Sequence, residues 1–465
     1  MKSSSNKANE VLKNVLARVK PTSEVRAKHE ALVKRVLSKM RACTPKNVEV
    51  VLAGSMAKGT NLREVDLDVF LLFPKTCSNK DLEVLGLKYA KKAVAPNKYE
   101  IGYAEHPYLR AKIEGVRVDV VPSFKIENIS EMGSSVDRSQ LHTKYVLKKL
   151  REEQKDEVRL LKQFLKGQGV YGAEAKTEGF SGYLCELLII HYSSFTKLLE
   201  EARSWHKRTI DIENQWEKDE PRKRFDTPLV VIDPVDRNRN VAAAVSATSL
   251  TKFIYAARAF IKKPSINFFF EEELKVKKSI VTKQLKARGT DLLLLTFKAP
   301  DVVPDILWPQ LRKATQSIVR HLELADFIVF GYDYWSEEKE SKEKNCAILI
   351  ELENAKLPNV KFIQGPGIRH EQAVDNFIAA HRNAVDGPWF EHNNVVVIER
   401  RKSTDANTLL KEIGRQPDKY AIPSHVSKKI KSLKILKNEE ALNGKFYEFV
   451  GKYVAKRVMA WMKVL

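Results

Sequence analysis

The sequence predicts an α/β (α+β) multidomain protein, and three observations support that prediction. The chain has 465 residues, which is too long for one ordinary hydrophobic core. Short β-rich segments alternate with helices in residues 1–145, and the same alternation returns in residues 263–465. Residues 146–262 show mainly helical spacing of their apolar side chains. We therefore predict an α/β domain, a mainly helical central domain, and a C-terminal α/β region that ends in a basic helical tail.

In the first domain, apolar residues recur at helical spacing over residues 7–43, and Pro21-Thr22-Ser23 interrupts the pattern. Thr22 or Ser23 is expected to cap the second of the two helices. The following segments are rich in β-branched and aromatic residues, with one helical segment among them. The predicted strands are Val48–Leu52, Leu67–Phe73, Tyr99–Ala104, Leu109–Ile113 and Val116–Val121, and the predicted helix is Leu82–Ala95.

The central domain is predicted from apolar helical faces at residues 158–165 and over Leu184–Leu199. A loop rich in charge and proline then leads to a strand at Leu229–Ile232. Strands and helices alternate again beyond Pro264. The predicted strands there are Leu292–Phe297, Asp326–Phe330, Cys346–Leu352 and Val395–Arg400, the predicted helices are Pro309–Leu324 and His370–His381, and the basic tail is Asn443–Leu465.

The charge of the chain restricts its partners. The formal net charge is +22, and such an excess attracts polyanions, either nucleic acids or an anionic membrane surface. The basic residues are spread along the whole chain, which favours a long nucleic-acid track over a charged tail. No run of about 18 apolar residues occurs, and the polar N-terminus lacks the apolar core of a secretion signal. We therefore expect a soluble, cytoplasmic protein with no membrane partner.

The four cysteines, Cys43, Cys77, Cys185 and Cys346, lie far apart and form no C-x-x-C pair. A zinc site or a disulfide framework is therefore not expected.

A glycine-serine turn is the first feature that indicates chemistry. The segment Leu52-Ala53-Gly54-Ser55 predicts a strand that runs into a tight turn, where glycine permits close approach of the backbone to a phosphate. The residues after the turn are expected to open a helix. Ser55 offers a hydroxyl and an amide to a terminal phosphate, and Lys58 offers a positive charge.

Three carboxylates follow the turn. Asp66 and Asp68 are two residues apart on a predicted strand, so their side chains lie on the same face. Asp119 lies in a second short apolar strand, and it joins the cluster if the two strands are neighbours. Carboxylates this close repel one another unless a hard divalent cation lies between them, and Mg²⁺ is the natural choice beside triphosphates. The order of these motifs predicts two-metal phosphoryl transfer.

These residues resemble the DNA polymerase β-type nucleotidyltransferase superfamily, and more closely the archaeal, class I tRNA CCA-adding enzymes. The resemblance extends beyond the motifs and covers most of the chain, most strongly residues 45–245. It is carried by Gly54-Ser55, Asp66-Leu67-Asp68, Tyr103-Ala104-Glu105-His106-Pro107-Tyr108, Val118-Asp119-Val120-Val121-Pro122, Gly179-Phe180-Ser181-Gly182-Tyr183, Asp233-Pro234-Val235-Asp236 and Trp308-Pro309-Gln310-Leu311.

The resemblance implies a polymerase β-like nucleotidyltransferase head with a mixed sheet, a helical neck, and an α/β body and helical tail that bind tRNA. It implies addition of C, C and A from CTP and ATP to a tRNA that lacks part or all of its 3′ CCA, and it suggests a homodimer. The residues carried over by position are Asp66, Asp68 and Asp119 as catalytic metal carboxylates, Ser55 and Lys58 at the phosphates, His142, Lys162 and Tyr171 at the nucleotide, and Arg239, in a predicted polar loop, at the base.

Other interpretations compete with this one. Gly167–Gly172 fits G-x-G-x-x-G but follows a helix, so we interpret it as a helix end and turn that places Tyr171 near the nucleotide. The segment Gly365-Pro366-Gly367 has two equally supported interpretations, a plain turn before a helix and a turn that binds a phosphate. A poly(A) polymerase-like enzyme or an oligoadenylate synthetase would share the head motifs. A non-catalytic RNA-binding scaffold is a further alternative, and a membrane-surface protein has only the charge in its favour.

Overall fold

The computed structural model describes residues 2–103, 105–217, 219–270, 277–337, 344–455 and 462. The chain divides into two compact units, Met1–Glu272 with Met459–Leu465, and Glu273–Val458. The predicted boundary at residue 145 lies inside the first unit. The three-domain division remains a prediction.

The first unit begins with helices and one mixed sheet. Its early helices are α1 (Lys2–Val19), α2 (Ser23–Cys43), α3 (Gly54–Lys58), α4 (Asn79–Val94) and α5 (Arg138–Lys149), and its strands are β1 (Glu49–Ala53), β2 (Asp66–Phe73), β3 (Tyr99–Tyr103), β4 (Pro107–Ile113) and β5 (Val116–Phe124). The Thr22 side chain accepts a hydrogen bond from the Val25 amide, which confirms the predicted cap of α2. Ala104, the predicted end of the third strand, lies outside the described residues.

The five strands form one sheet in the order β1-β2-β5-β4-β3. The pair β2 and β5 is parallel, whereas β1 pairs with β2, β4 with β5 and β3 with β4 in antiparallel fashion. The predicted mixed sheet is therefore confirmed. One face of β2 and β5 buries Leu67, Val69, Leu71, Val118 and Val120 against α2 and α4. That packing fixes the opposite face, which carries the aspartates.

The rest of the first unit is mainly helical. Its elements are α6 (Gln154–Gly167), α7 (Gly182–Tyr192), α8 (Phe195–Ala202), α9 (Glu220–Arg224), α10 (Ala247–Lys262), β6 (Thr209–Ile210), β7 (Val230–Asp233) and β8 (Asp236–Asn240). The prediction of one helix over Leu184–Leu199 was wrong. Ser193 has φ of +70° and ends α7, and the Ser194 side chain accepts the Lys197 amide and caps α8. Phe164 packs edge-to-face against Phe253 and Phe260 in the core.

The second unit contains two small sheets with helices. Its elements are α11 (Lys278–Arg288), β9 (Asp291–Lys298), α12 (Pro304–Leu324), β10 (Val329–Ser336), β11 (Asn345–Leu352), β12 (Val360–Gly367), α13 (Glu371–Ala380), β13 (Asp386–Glu391), β14 (Asn394–Arg400), α14 (Ala406–Arg415), α15 (Ser424–Ile430), β15 (Lys434–Lys437) and α16 (Tyr447–Ala455). The sheet orders are β10-β11-β9-β15 and β12-β14-β13.

Several predictions for this unit need correction. The strand predicted at Asp326–Phe330 begins only at Val329, because Asp326 has φ of +67° and the chain leaves α12 there. Gly365-Pro366-Gly367 forms the end of β12, not a plain turn before a helix. The strands β12 and β13 and the helix α14 were not predicted. Of the predicted tail, Tyr447–Ala455 is helical, and residues 456–461 and 463–465 lie outside the described residues.

Among the described helices, none has the length and apolar character needed to cross a membrane. The four cysteines are free thiols.

Candidate active site

The glycine-serine turn packs directly against one of the carboxylates. Gly54 follows β1 with φ of +66°, and a Cβ atom built on it would lie 1.9 Å from Oδ2 of Asp68. No other residue fits there without moving the carboxylate. The predicted helix after the turn is α3, and the Thr60 amide donates to the Ser55 carbonyl at 3.0 Å to close it. The turn and Asp68 are thus one structural unit.

The parallel pairing of β2 and β5 brings the three acids together. Asp68 is the register partner of Asp119, and Asp66 is the register partner of Arg117. Because side chains two residues apart share a face, all three carboxylates project from the same side of the sheet. The condition for a joint carboxylate cluster, that the two strands are neighbours, is met.

Two of the carboxylates are held by arginines. Arg110 donates to both oxygens of Asp119, from Nε at 2.9 Å and from Nη2 at 3.0 Å. Nη2 of Arg117 lies 2.5 Å from Oδ2 of Asp66. Asp68 has no ion-pair partner within the described part of the chain. Its pKa rises to about 6, because it is desolvated by burial and repelled by Asp119 and Asp66.

The described residues contain no group of three His, Cys, Asp or Glu side chains already placed to hold a metal ion. Arginines occupy two of the three carboxylates instead: Arg110 pairs with Asp119, and Arg117 pairs with Asp66 and lies 3.8 Å from Asp119. The donor set nevertheless suits a hard cation: three carboxylates lie on adjacent strands, and the central one, Asp68, is destabilised by its neighbours. A cation there would relieve that repulsion.

A buried polar cluster joins the turn to the helices α6 and α7. Lys58 is 7% exposed and its Nζ donates to Oε2 of Glu186 at 2.5 Å. The Thr60 hydroxyl donates to Oε1 of Glu186 at 2.5 Å. Lys162 is 2% exposed, and its Nζ donates to the Thr60 carbonyl at 3.0 Å. Burial lowers the pKa of Lys162, and the Glu186 carboxylate opposes that shift. The predicted residues Lys58 and Lys162 thus meet at one carboxylate.

His142 and Arg239 meet at a second buried acid, Asp233. Nε2 of His142 lies 2.8 Å from Oδ2 of Asp233, and Nη1 of Arg239 donates to the same oxygen at 2.8 Å. The Tyr183 hydroxyl donates to Oδ1 at 3.1 Å, and the Tyr183 ring stacks on His142 at 3.9 Å. Burial lowers the pKa of His142, and the hydrogen bond and charge of Asp233 oppose that shift. Arg239 lies on β8, so its predicted placement in a polar loop was wrong.

Tyr171 also lies in this region. The chain turns after α6 through Gly169, which has φ of +66°, and Tyr171 then pairs with Phe180. Its hydroxyl lies 3.3 Å from the position that a Cβ atom on Gly182 would occupy, and Nζ of Lys162 lies 3.7 Å from the same point. Burial and nearby acids, Glu186 among them, raise the pKa of the hydroxyl. The predicted helix end and turn is confirmed by this backbone.

One aromatic residue links the three groups. Tyr183 contacts His142 and Asp233, and its ring centroid lies 5.9 Å from Nζ of Lys58. Lys58 in turn connects to the carboxylates, because its charge offsets part of the rise in the pKa of Asp68. The structure therefore brings the predicted site residues into one continuous region of the first unit.

Sequence reasoning assigned no role in this region to Thr60, Arg110, Arg117, Tyr183, Glu186 and Asp233. Two of them carry a visible signal. Glu186 is a lone charge in the apolar run Leu184–Ile190, and Asp233 ends the apolar strand β7. A charge inside an apolar segment indicates a buried partner, because an unpaired buried charge is too costly.

Three family profiles match successive parts of the chain. "Nucleotidyltransferase domain" matches residues 32–154, "tRNA nucleotidyltransferase, second domain" matches residues 156–270, and "CCA-adding enzyme, C-terminal domain" matches residues 288–438. The first of these ranges contains the three aspartates and the glycine-serine turn, and the second contains Glu186 and Asp233.

Curated relatives cover most of the chain. A CCA-adding enzyme of Methanothermobacter thermautotrophicus is 36% identical over 389 residues, which are 83% of this chain and 83% of the relative. A CCA-adding enzyme of Archaeoglobus fulgidus is 37% identical over 432 residues, 89% of this chain and 94% of the relative. Among solved structures, a Cid1 poly(U) polymerase aligns with a TM-score of 0.46 and 13% identity, over 57% of this chain and 98% of that one. The extent and identity of the matches to the relatives show that this chain belongs to the CCA-adding enzyme family of nucleotidyltransferases.

Proposed function

We propose that this protein adds C, C and A to the 3′ end of tRNA from CTP and ATP, without a nucleic-acid template. The observation that carries the proposal is the set of three carboxylates on neighbouring parallel strands, with the glycine-serine turn packed on Asp68. Membership of the CCA-adding enzyme family supports the choice of substrate, because the likeness continues into the C-terminal domain at residues 288–438. The net charge of +22 suits a polyanionic partner.

The reaction is attack of the RNA 3′-hydroxyl on the α-phosphorus of the nucleotide, with release of pyrophosphate. Mg²⁺ ions held by Asp66, Asp68 and Asp119 would supply activation of the hydroxyl and neutralisation of the leaving group. Arg117 and Arg110 already pair with the carboxylates of Asp66 and Asp119, so these guanidinium groups would compete with a cation for the same negative charge.

The remaining residues are proposed to bind the nucleotide. Ser55 is the second residue of α3 and follows Gly54, which packs on Asp68, and its hydroxyl is assigned to a phosphate oxygen. Lys58, Lys162 and Tyr171 contribute positive potential and hydrogen-bond donors to the same part of the site. A second group is proposed to contact the base: Arg239 and His142, which Asp233 holds in place.

The test is incorporation of labelled CTP and ATP, separately and together, into a tRNA that lacks its CCA end. Asp119→Asn should lose incorporation by more than about a thousandfold while tRNA binding stays within twofold. Asp81→Asn is the matched control, because Asp81 is an exposed residue of α4 that bonds only to Ser78 in the described structure. It should keep full activity.

Other products would support the alternatives. Long incorporation from ATP alone would indicate a poly(A) polymerase-like enzyme. Tight tRNA binding without incorporation would indicate a non-catalytic RNA-binding scaffold. An active Asp119→Asn variant would contradict the assignment of the carboxylates.

A further inference from the structure

The cluster around Glu186 is unusual in its balance of charge. Glu186 is fully buried, at 0% exposed, and its carboxylate has three cationic or hydroxyl neighbours. Lys58 and Thr60 each donate to one of its oxygens at 2.5 Å, and Nζ of Lys162 lies 3.7 Å from Oε1. One carboxylate therefore serves two buried ammonium groups. Such a group is retained only where its contacts are needed, because desolvation of a buried ion pair consumes most of its Coulombic gain.

The same carboxylate connects parts of the chain that are distant in sequence. Lys58 and Thr60 lie at the end of α3 and just after it, 128 and 126 residues before Glu186, and Lys162 lies on α6. The Thr60 amide donates to the Ser55 carbonyl, so a shift of Thr60 is transmitted to Ser55 across the five-residue helix. Glu186 thus binds Lys58 and Thr60 at one end of the segment 54–60, while Gly54 at its other end packs on Asp68.

We infer that Glu186 is a positioning residue for nucleotide binding. It fixes the Lys58 ammonium and, through Thr60, the orientation of Ser55 relative to the carboxylates on β2 and β5. It does not touch the reacting atoms in this arrangement, because its two oxygens are occupied by Lys58 and Thr60 and its side chain is wholly buried. This inference rests on the proposed function and assigns a role to a residue that the sequence analysis did not count among the site residues.

A positioning role for Glu186 has different measurable effects from a role in stabilising the core. A residue that only stabilises the fold affects the melting temperature and the fraction of active protein. A positioning residue changes the KM for the nucleotide, because the phosphate-binding groups are displaced in molecules that are otherwise folded. The binding of tRNA, which the family resemblance assigns chiefly to the C-terminal region, should stay unchanged.

The experiment compares Glu186→Gln, Glu186→Asp and the control Glu157→Gln in the full-length protein. Glu157 is a partly buried carboxylate of α6, and it accepts a hydrogen bond of 2.8 Å from the Phe195 amide. For Glu186→Gln we expect the KM for CTP and for ATP to rise at least tenfold, with the Kd for tRNA within twofold. Glu186→Asp keeps the charge but is one methylene shorter, so it should recover part of the loss. Glu157→Gln should leave both KM values unchanged.

A double variant tests whether Glu186 acts through Lys58. If it does, Lys58→Met with Glu186→Gln should be no worse than Lys58→Met alone by more than about twofold, because both changes remove the same interaction. If the double variant raises the KM by the product of the two single effects, the route through Lys58 is overturned, and an unaltered KM in Glu186→Gln overturns the inference. If Glu186→Gln does not fold, the KM of Thr60→Val tests the same positioning role, because this change removes the hydroxyl that donates to Glu186. A normal KM in Thr60→Val would then overturn the inference.

Direct binding of labelled CTP and ATP, measured by equilibrium dialysis on the same variants, keeps this test separate from the proposed function. If the wild type binds nucleotides but transfers none, the proposed function fails. Weaker nucleotide binding by Glu186→Gln in that protein would still support the positioning role, and equal binding would refute it.

Discussion

Replacing Asp68 by asparagine should stabilise the metal-free protein at neutral pH. The pKa of Asp68 is raised from 3.8 to about 6 by burial and by the charges of Asp119 and Asp66. A difference of about two pKa units corresponds to about 3 kcal/mol of unfavourable free energy for the ionised carboxylate in the folded state. Asparagine has nearly the same shape and carries no charge, so Asp68→Asn should recover about 1–3 kcal/mol of unfolding free energy.

The pH dependence gives the sign of this effect. The folded-state pKa of Asp68 lies above the unfolded value, so the folded protein takes up the proton first as the pH falls. Above pH 6 the carboxylate is ionised in both states and its full cost is present. Between pH 6 and pH 4 protonation of the folded state relieves that cost. The advantage of Asp68→Asn should therefore be largest above pH 6 and should vanish near pH 4.

The assay is chemical unfolding with guanidinium chloride in the presence of EDTA, at several pH values between 4 and 7.5. Asp66→Asn is the matched control, because Asp66 is exposed and its Arg117 ion pair contributes about 1 kcal/mol or less. That variant loses the Arg117 ion pair and also a charge that repels Asp68, and because these two effects oppose each other its stability should change little. The reasoning is refuted if Asp68→Asn is no more stable than the wild type at pH 7.5, or if its gain is the same at pH 4. Magnesium should raise the midpoint of the wild type and raise that of Asp68→Asn less.

Further changes test other contacts of the site. Gly54→Ala places a Cβ atom on the Asp68 carboxylate and strains a backbone with positive φ, so incorporation should fall at least a hundredfold and stability by about 1–3 kcal/mol, measured by initial rates and thermal melting. Asp233→Asn weakens the acceptor of three side-chain donors, so the KM for CTP and ATP should rise about tenfold with unchanged tRNA binding in a filter assay. Arg110→Met removes the partner of Asp119, so metal-free stability should fall by about 1–3 kcal/mol while magnesium binding, measured calorimetrically, becomes tighter.

The local parts of the fold were predictable because they depend on short-range patterns. In the strands around the turn, apolar residues either alternate with polar ones or form a continuous run. The first two helices are separated by a clear break in the helical pattern at Pro21. The errors occur where the backbone reverses without glycine or proline. Ser193 and Asp326 both adopt positive φ, which ends a helix in each case, and composition gives little warning of such positions. Helices and strands of the second unit were missed where polar and apolar residues are mixed, as in β12 and β13.

The identity of the acids was predictable, but their partners were not. A spacing of two residues on a strand already places Asp66 and Asp68 on one face. The pairing of Lys58 with Glu186 joins residues 128 positions apart, and it depends on how α7 packs beside the turn. No local pattern contains that information. The only advance signal was a single acid inside an apolar helix, which indicates that a buried cation exists but not which one.

The arginines change how the carboxylate cluster should be understood. Asp119 receives two hydrogen bonds from Arg110, and Asp66 is paired with Arg117, so two of the three negative charges are compensated by the protein itself. Asp68 alone retains an unfavourable charge. A cation at the proposed site would gain most from Asp68 and would compete with guanidinium groups for the charge of the other two carboxylates. A variant of either arginine should therefore change the apparent affinity for magnesium although it alters none of the proposed metal ligands.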